Sequence, residues 1–284
     1  MQHKYVKSFD GTTIHYVVQR NKNKHFLVFL HGVGVNWTIW NKIIEFFDYA
    51  GYSIIAIDLR GHGMSETPIA AEKYVFSHFA KDVRAVLTKE KITLFSFIGH
   101  SLGGGIAIDY ITQFQKKPKT MIVLDTAVTN PFAEKGFMNI NQSVSKLLGF
   151  LVKHQKIKQK LQKKEIDLSK AYHKNKILFG MRMLKQCQLK VMVTILDKLT
   201  EYTRTHSEKS IKALQKLSIP VLVITSLYDK VVPAGNSEDI SRYAKKAVFK
   251  IIKDVHHAIM LDKPDEVSTT ILKFLENRKI KEYF

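Results

Sequence analysis

Short, continuous runs of apolar residues recur along the first half of the chain, and each one stops at a polar or glycine-rich turn. These runs occupy positions 25–30, 53–57, 92–98 and 120–124. A run of this length predicts a strand buried on both faces, as in a parallel sheet. Residues 4–19 instead alternate around Asp10-Gly11, a dipeptide typical of a hairpin turn, so they predict two antiparallel strands.

Between these runs the apolar positions take helical spacing. Trp40, Ile43 and Phe47, for example, fall on one side of a helix. The segments with this spacing are 37–49, 75–87 and 104–114. Strands that alternate with helices predict an α/β fold, a mostly parallel sheet flanked by helices.

The alternation stops in the middle of the chain. Residues 129–214 contain no clear buried strand, and they are helix-like and rich in lysine. The alternation resumes with strands predicted at 219–224 and 247–252 and a closing amphipathic helix at 267–277. We therefore divide the chain into an α/β core, 1–128 and 215–284, and a helical insertion, 129–214.

Composition excludes several classes of protein. Hydrophobic residues make up 45% of the 284 positions, enough for a large core, so the chain is not predicted to be disordered. The single cysteine, Cys187, excludes an intramolecular disulfide framework and a cysteine-based zinc site. No apolar run approaches the ~20 residues of a membrane-spanning helix. The first residues show no secretory signal, so the cytoplasm is the expected compartment.

The sequence Gly99-His-Ser101-Leu-Gly103 fits the G-x-S-x-G pattern of a nucleophilic serine. It follows a predicted strand and precedes a predicted helix, the context that this turn requires. A serine exposed on such a sharp turn has a strained backbone, so its neighbours two residues away must be small. The first N–H groups of the following helix favour a developing negative charge at this point. Ser101 is therefore the predicted nucleophile.

Together with this turn, three further motifs resemble the α/β-hydrolase family in order and spacing, over nearly the whole chain. These are His31-Gly-Val-Gly34 after a strand, Asp58-Leu-Arg-Gly-His-Gly-Met-Ser65, and Asp229 followed by His257-Ala-Ile-Met-Leu-Asp-Lys-Pro264. The resemblance implies the α/β-hydrolase fold, with the helical insertion as the cap (lid) domain of that family.

The resemblance also implies a role for individual residues. His257 is the base that activates Ser101, with His256 as its rival, because the match read backwards from Pro264 points to position 257. Asp229 is the acid that orients the base, and Asp125, which also ends a strand, is its rival.

Further roles follow for the residues around these groups. The backbone N–H groups of Val33 and Leu102 form the oxyanion hole. Asn36 and Trp37 are predicted at the mouth of the pocket. His31 and His62 are expected to be structural, and the side chain of His100 is expected to point away into neighbouring structure.

A serine at the nucleophile position determines the predicted chemistry. Members of the family with aspartate there are dehalogenases or epoxide hydrolases, whereas Ser101 predicts hydrolysis of a carboxylic ester or thioester through an acyl-enzyme intermediate. The sequence shows no metal-ligand cluster and no phosphate-binding loop, so no metal and no cofactor are expected. The alternatives are a C–C bond hydrolase of a meta-cleavage product, a cofactor-free perhydrolase, and a non-catalytic ligand-binding relative.

The net charge is +20, from 45 Lys and Arg against 25 Asp and Glu. From Lys146 to Lys176 there are ten lysines and only two acids, Glu165 and Asp167. Either this segment is a solvated helix face, or it docks an anionic carrier of the acyl substrate. The two carriers considered are a lipid surface and the acidic face of an acyl carrier protein. No nucleic-acid-binding motif is found.

Overall fold

A computed structural model of the chain describes residues 1–114, 117–129, 152 and 154–279, with side chains of the last helix as far as Glu276. Residues 130–151 and 153 of the predicted insertion lie outside the described residues. Two of the ten lysines of the basic segment, Lys146 and Lys153, are among them.

Eight strands in the described residues form one sheet. They are β1 Gln2–Lys7, β2 Thr13–Gln19, β3 Phe26–Leu30, β4 Ser53–Ile57, β5 Phe95–His100, β6 Met121–Leu124, β7 Val221–Ser226 and β8 Ala247–Ile252. The order across the sheet is β1-β2-β4-β3-β5-β6-β7-β8. Strand β2 is antiparallel to β1 and β4, and all other neighbours are parallel. The predicted hairpin and mostly parallel sheet are confirmed.

Helices cover both faces of the sheet. They are α1 Asn41–Tyr49, α2 Phe76–Lys89, α3 Leu102–Gln113, α4 Leu168–Lys174, α5 Lys176–Gln186, α6 Leu189–Gln215, α7 Ala234–Tyr243, α8 Ile259–Asp262 and α9 Pro264–Lys279, with 3-10 turns at Trp37–Trp40 and Ala71–Tyr74. Along β3, Val28 packs with one apolar cluster and Phe29 with the other. The first cluster includes residues of α2, α3 and α7, and the second includes residues of α1 and α9.

The described part of the predicted insertion contains α4, α5 and most of α6. Helix α6 has 27 residues and is joined to the core by buried contacts. The hydroxyl of Tyr202 on α6 donates to the Asp109 carboxylate on α3 at 2.8 Å, and its ring stacks on Phe76 of α2 at 4.3 Å between centroids. Within the described residues, no helix has the length and apolar character needed to cross a membrane.

Candidate active site

Ser101 lies on the tight turn between β5 and α3. Its backbone has φ of 52° and ψ of −116°. Residues other than glycine rarely adopt a positive φ of this kind. A Cβ atom at Gly99 would lie 2.6 Å from the carbonyl oxygen of Gly103, and one at Gly103 would overlap the carbonyl of Leu30. The two glycines are therefore required by contacts with backbone, as the sequence pattern predicts.

His257 and Asp229 form a hydrogen-bonded pair close to this turn. The Nδ1–H of His257 donates to Oδ2 of Asp229 at 2.7 Å. The other carboxylate oxygen accepts the N–H groups of Val231 and Val232, at 2.7 and 2.9 Å, and these bonds fix its orientation. A neutral ring that donates from Nδ1 has its lone pair on Nε2, which is the atom that a general base uses.

Ser101 and His257 line the same cavity. Among the hydrogen bonds of the described residues, none joins the Ser101 hydroxyl to the His257 ring. This contact is commonly long in enzymes without substrate and shortens when substrate binds. The arrangement therefore brings together a serine, a histidine and a carboxylate in the order that nucleophilic catalysis needs.

The rival base has different surroundings. The side chain of His256 is exposed to solvent, and its Nδ1–H donates to the carbonyl oxygen of Tyr228 at 3.1 Å. Its ring meets the Tyr228 ring edge-on. Within the described part of the chain, His257 is the one of the two adjacent histidines that is paired with a carboxylate, so the geometry favours it over His256.

The rival acid, Asp125, is buried at the end of β6. Its Oδ1 accepts the N–H and hydroxyl of Ser226, at 2.8 and 3.0 Å, and the hydroxyl of Thr225 at 3.2 Å. Its Oδ2 is buried without a hydrogen-bond partner in the described residues. Burial, and then the nearby charge of Asp229, raise the pKa of Asp125 to about 7. Asp125 is therefore a buried carboxyl that lies beside the pair and hydrogen-bonds to Thr225 and Ser226, rather than the hydrogen-bonded partner of His257.

The two residues predicted to form the oxyanion hole lie in the wall of the cavity that contains Ser101. Val33 and Leu102 both line the cavity, and Leu102 is the first residue of α3. Among the described residues we find no acceptor for either N–H, as expected for the first turn of a helix and for an open loop. The predicted oxyanion residues are thus placed together at the cavity wall, where two donors could stabilise a negative oxygen.

Two buried histidines hold the loop that carries Val33. Nε2 of His31 accepts the N–H of Leu59, and Nε2 of His62 accepts the N–H of Gly34, both at 3.0 Å. Burial lowers the pKa of both rings, that of His62 to about 3, so both are neutral acceptors at physiological pH. They act as structural braces, as the sequence predicts.

His100 differs from the prediction. Its side chain does not point away from the site but lines the cavity, and its Nε2–H donates to the carbonyl oxygen of His257 at 2.8 Å. The two rings are 4.6 Å apart. Burial, followed by the charge of His257, keeps the pKa of His100 well below its usual value. The reason is that β5 extends through His100, so strand pairing rather than the turn sets the direction of this side chain.

The same region contains a set of possible metal ligands. In the described residues, His100, Asp125 and His257 each offer one ligand atom, and these atoms lie within 4.8 Å of one another. Imidazole nitrogens and carboxylate oxygens are common zinc ligands. Because Nδ1 of His257 is bonded to Asp229, an ion here would have to bind Nε2 of His257. Metal binding and general-base catalysis by His257 therefore exclude each other.

The cavity has a volume of about 320 Å³, and its walls are mainly apolar. The core contributes Val33, Val35, Ile39 and Leu102 beside the polar groups described above. The helices between β6 and β7 contribute Phe179, Met183, Met192, Leu196 and Leu199. A cavity of this composition fits an apolar chain or ring attached to the group that reacts at Ser101.

The residues predicted at the pocket mouth have other contacts. Asn36 caps the turn that begins at Trp37, and its Nδ2 donates to the carbonyl of Ile166 at 2.8 Å. The indole N–H of Trp37 donates to Glu165 at 2.7 Å. Neither residue is among those that line the cavity, because hydrogen bonds direct both side chains towards 165–166. In the structure their contacts join the core to the helical segment.

Fold and site together define a hydrolase-like α/β protein with a serine, a histidine and an acid at the carboxyl ends of β5, β7 and β8. Residues 26–264 match the α/β hydrolase fold family, and the chain belongs to that family. The matched region includes the turn of Ser101 and the loops of Asp229 and His257.

Several known proteins are similar to the chain. Protein ABHD8 of Mus musculus is 26% identical over 264 residues, which are 88% of this chain but only 54% of that protein, so the chain spans about half the length of this relative. Epoxide hydrolase 3 of Xenopus tropicalis is 25% identical over 97% of this chain and 78% of its own. The esterase EaEST from Exiguobacterium antarcticum is a solved structure with a TM-score of 0.73 and 18% identity, covering 97% of this chain and 100% of its own. That likeness shows the fold.

Proposed function

We propose that the protein is a serine hydrolase that cleaves a carboxylic ester or thioester through an acyl-enzyme intermediate. The observation that carries the proposal is the position of Ser101, on a strained turn in the wall of the cavity that His257 also lines, with His257 bonded to Asp229 at 2.7 Å. The hydroxyl of a serine is a weak nucleophile and needs an adjacent base of this kind.

In the first half of the reaction, Oγ of Ser101 attacks the carbonyl carbon of the substrate while Nε2 of His257 takes the hydroxyl proton. The Asp229 carboxylate stabilises the imidazolium that forms. The N–H groups of Val33 and Leu102 donate to the negative oxygen of the tetrahedral intermediate. When that intermediate collapses, His257 gives its proton to the leaving alcohol or thiol, and the acyl group remains on Ser101.

In the second half, water replaces the leaving group. His257, neutral again, takes a proton from the water as its oxygen attacks the acyl-enzyme. The same N–H groups stabilise the second tetrahedral intermediate. Its collapse returns the proton from His257 to Oγ of Ser101 and releases the carboxylic acid, so no redox partner is needed.

Two observations favour an ester over other substrates of the fold. One relative is named an epoxide hydrolase. Epoxide hydrolases of this family have aspartate at the nucleophile position, whereas this chain has Ser101 there. The apolar lining of the cavity, with Phe179, Met183 and Met192, supports an apolar acyl group in the substrate.

The test uses short p-nitrophenyl esters and a fluorophosphonate probe, which labels only an activated serine. We expect hydrolysis and labelling by the wild type, and loss of both in Ser101→Ala, with kcat lower by about 10⁴-fold or more. Ser268→Ala, a buried serine on α9, is the matched control and should keep both. A folded wild-type protein that neither takes the label nor turns over an ester would instead support the non-catalytic alternative.

A further inference from the structure

Helix α5 presents three different faces. On the inner face, Phe179 and Met183 line the cavity beside Ser101. On the outer face, Ile177, Met181 and Leu184 are 75%, 57% and 53% exposed. These three positions are spaced i, i+4 and i+7, so they form one continuous stripe. We call it the α5 stripe. A contiguous exposed apolar stripe on a soluble helix is a feature of interaction surfaces.

The third face of α5 forms one wall of a cationic groove. Arg182 and Lys185 of α5 face residues 160–167 across a groove of about 570 Å³. Residues 160–167 add three exposed lysines, Lys160, Lys163 and Lys164. We call these five side chains and the space between them the basic groove.

The two acids in this groove are already engaged. Oε2 of Glu165 accepts the indole N–H of Trp37 at 2.7 Å. Oδ1 of Asp167 accepts the N–H of Lys170 at 3.0 Å as the N-terminal cap of α4, and its Oδ2 lies 3.7 Å from the Lys170 ammonium. Among the described residues, five basic side chains line the groove against these two carboxylates, so the groove keeps a surplus of positive charge.

We propose that the α5 stripe and the basic groove dock the protein on an anionic lipid surface, from which an ester substrate enters the cavity behind α5. This inference rests on the proposed function for the nature of the substrate. The boundary between headgroups and acyl chains offers both partners at once, since the stripe can enter the acyl region while the lysines and arginine bind phosphates.

Charge and polarity favour this occupant over two others. A second copy of the chain, with the same net charge of +20, would bring two basic grooves together and repel. An acidic protein such as an acyl carrier protein would satisfy the groove but would leave Ile177, Met181 and Leu184 against a polar surface. A lipid surface accounts for the stripe and the groove with one partner.

The experiment is co-sedimentation with vesicles of phosphatidylcholine alone or mixed with phosphatidylglycerol, at low and physiological salt. Every protein carries Ser101→Ala, so binding is measured without turnover. The stripe variant is Ile177→Gln/Met181→Gln/Leu184→Gln, and the groove variant is Lys163→Gln/Lys164→Gln/Lys185→Gln. The matched controls are Tyr49→Gln/Val248→Gln and Lys22→Gln/Lys24→Gln/Lys89→Gln, which change exposed residues outside the stripe and the groove.

We expect the parent protein to bind the anionic vesicles and to bind phosphatidylcholine much more weakly. The groove variant should bind on the order of 100-fold more weakly, because each basic side chain near an anionic leaflet contributes about a factor of five. The stripe variant should bind at least about tenfold more weakly, because its apolar contacts with the acyl region are lost. The two controls should bind like the parent, and circular dichroism should show that all variants are folded.

Two results would overturn the docking proposal. One is a parent protein that stays in the supernatant with anionic vesicles. The other is a stripe variant that binds as well as the parent, which would leave only an unspecific attraction of charge. In the first case, pull-down of the parent by an acyl carrier protein would identify an acidic protein, rather than a lipid surface, as the partner. Because hydrolysis of soluble esters is measured separately, each of these outcomes is distinct from failure of the proposed esterase activity.

Discussion

Asp125 and Asp229 both carry buried carboxyl groups near His257, but only Asp229 is bonded to its ring. In Asp229→Asn the amide cannot hold His257 in the tautomer whose Nε2 is free, so we expect kcat for p-nitrophenyl butyrate to fall by about 10⁴-fold. Asp125→Asn keeps an oxygen for Ser226 and should stay within about tenfold of wild type. Comparable losses in the two variants would mean that both carboxyl groups serve the base.

The raised pKa of Asp125 also predicts how stability depends on pH. The carboxyl is protonated in the folded state up to about pH 7 but ionises at about 3.8 once unfolded. The folded state thus holds the extra proton between these values. The stabilisation is present in full below pH ~4 and is lost as the pH rises through about 7. The loss amounts to at most about 4 kcal/mol.

Chemical denaturation at pH 5 and pH 8 measures this effect. Asp125→Asn cannot ionise, so its free energy of unfolding should decline less than that of the wild type between the two pH values. The groups that face Asp125 are Asp229, His257 and His100, and they remain in the variant. Asp265→Asn, an exposed change on α9, should follow the wild type. If Asp125→Asn loses as much stability as the wild type on going to pH 8, Asp125 is not the titrating group.

The sequence predicts a residue of the site well when the pattern that identifies it is local, and poorly when its position depends on distant parts of the chain. The G-x-S-x-G turn marks Ser101 because the required glycines are local to it. The pairing of His257 with Asp229 joins two loops 28 residues apart, and only the resemblance to a family indicated it. The direction of the His100 side chain depends on the pleat of β5, which no local pattern reveals.

At the scale of elements, continuous apolar runs predicted strands well, both for the buried β4 and for the largely exposed edge strand β8. The prediction for β4, 53–57, and that for β8, 247–252, agree with the structure to the residue. Strand β5 begins at Phe95 rather than Ile92 and continues through Gly99 and His100. Its last residues pair with Val123 and Leu124 of β6, and this long-range pairing offsets the low strand propensity of glycine.

The turn between β5 and α3 makes a prediction about glycine. Gly103 is the second residue of α3, and a Cβ there would overlap the backbone of Leu30. Gly235 is the second residue of α7, and a Cβ there would meet no atom of the described residues within 4 Å. Gly103→Ala should therefore lower the free energy of unfolding by about 3 kcal/mol or more, whereas Gly235→Ala should change it by less than about 1 kcal/mol.

Urea denaturation measures the free energy of unfolding of the two alanine variants. Because both replace a glycine near the start of a helix, the difference between them reports the overlap of the new Cβ with the backbone of Leu30. Gly103→Ala should also reduce ester hydrolysis, since relief of the overlap would move the backbone of Ser101. Equal stability of the two variants would show that the turn accommodates a Cβ at position 103 without loss of stability, which would contradict the close packing of Gly103 against Leu30.

At the scale of the whole molecule, the sequence did not reveal that the core and the helices α5 and α6 line one cavity together, which we call the shared cavity. Its floor comes from the core, near Ser101, and its walls from α5 and α6. The apolar positions of α6 at 192, 196 and 199 have the same spacing as residues that pack in a core, so periodicity cannot distinguish a cavity wall from a core contact. The boundaries of the predicted insertion remain a prediction, because residues 130–151 and 153 lie outside the described chain.

The shared cavity predicts that α6 sets the preferred acyl chain. Each methylene of an acyl chain buried in this apolar space contributes about 0.8 kcal/mol, or roughly fourfold in kcat/KM, so hexanoate should be a better substrate than acetate. Leu196→Trp narrows the cavity on the α6 side. We expect it to lower kcat/KM for p-nitrophenyl hexanoate by at least about tenfold. The acetate, whose acyl group stays near Ser101, should change little.

Arg204→Trp places the same side chain at an exposed position of α6 and should leave the ratio of hexanoate to acetate unchanged. The readout is this ratio rather than either rate, because a loss of folded protein lowers both rates together and cancels in the ratio. If Leu196→Trp and Arg204→Trp give the wild-type ratio, the acyl chain does not lie against α6, and the core alone determines which ester is cleaved.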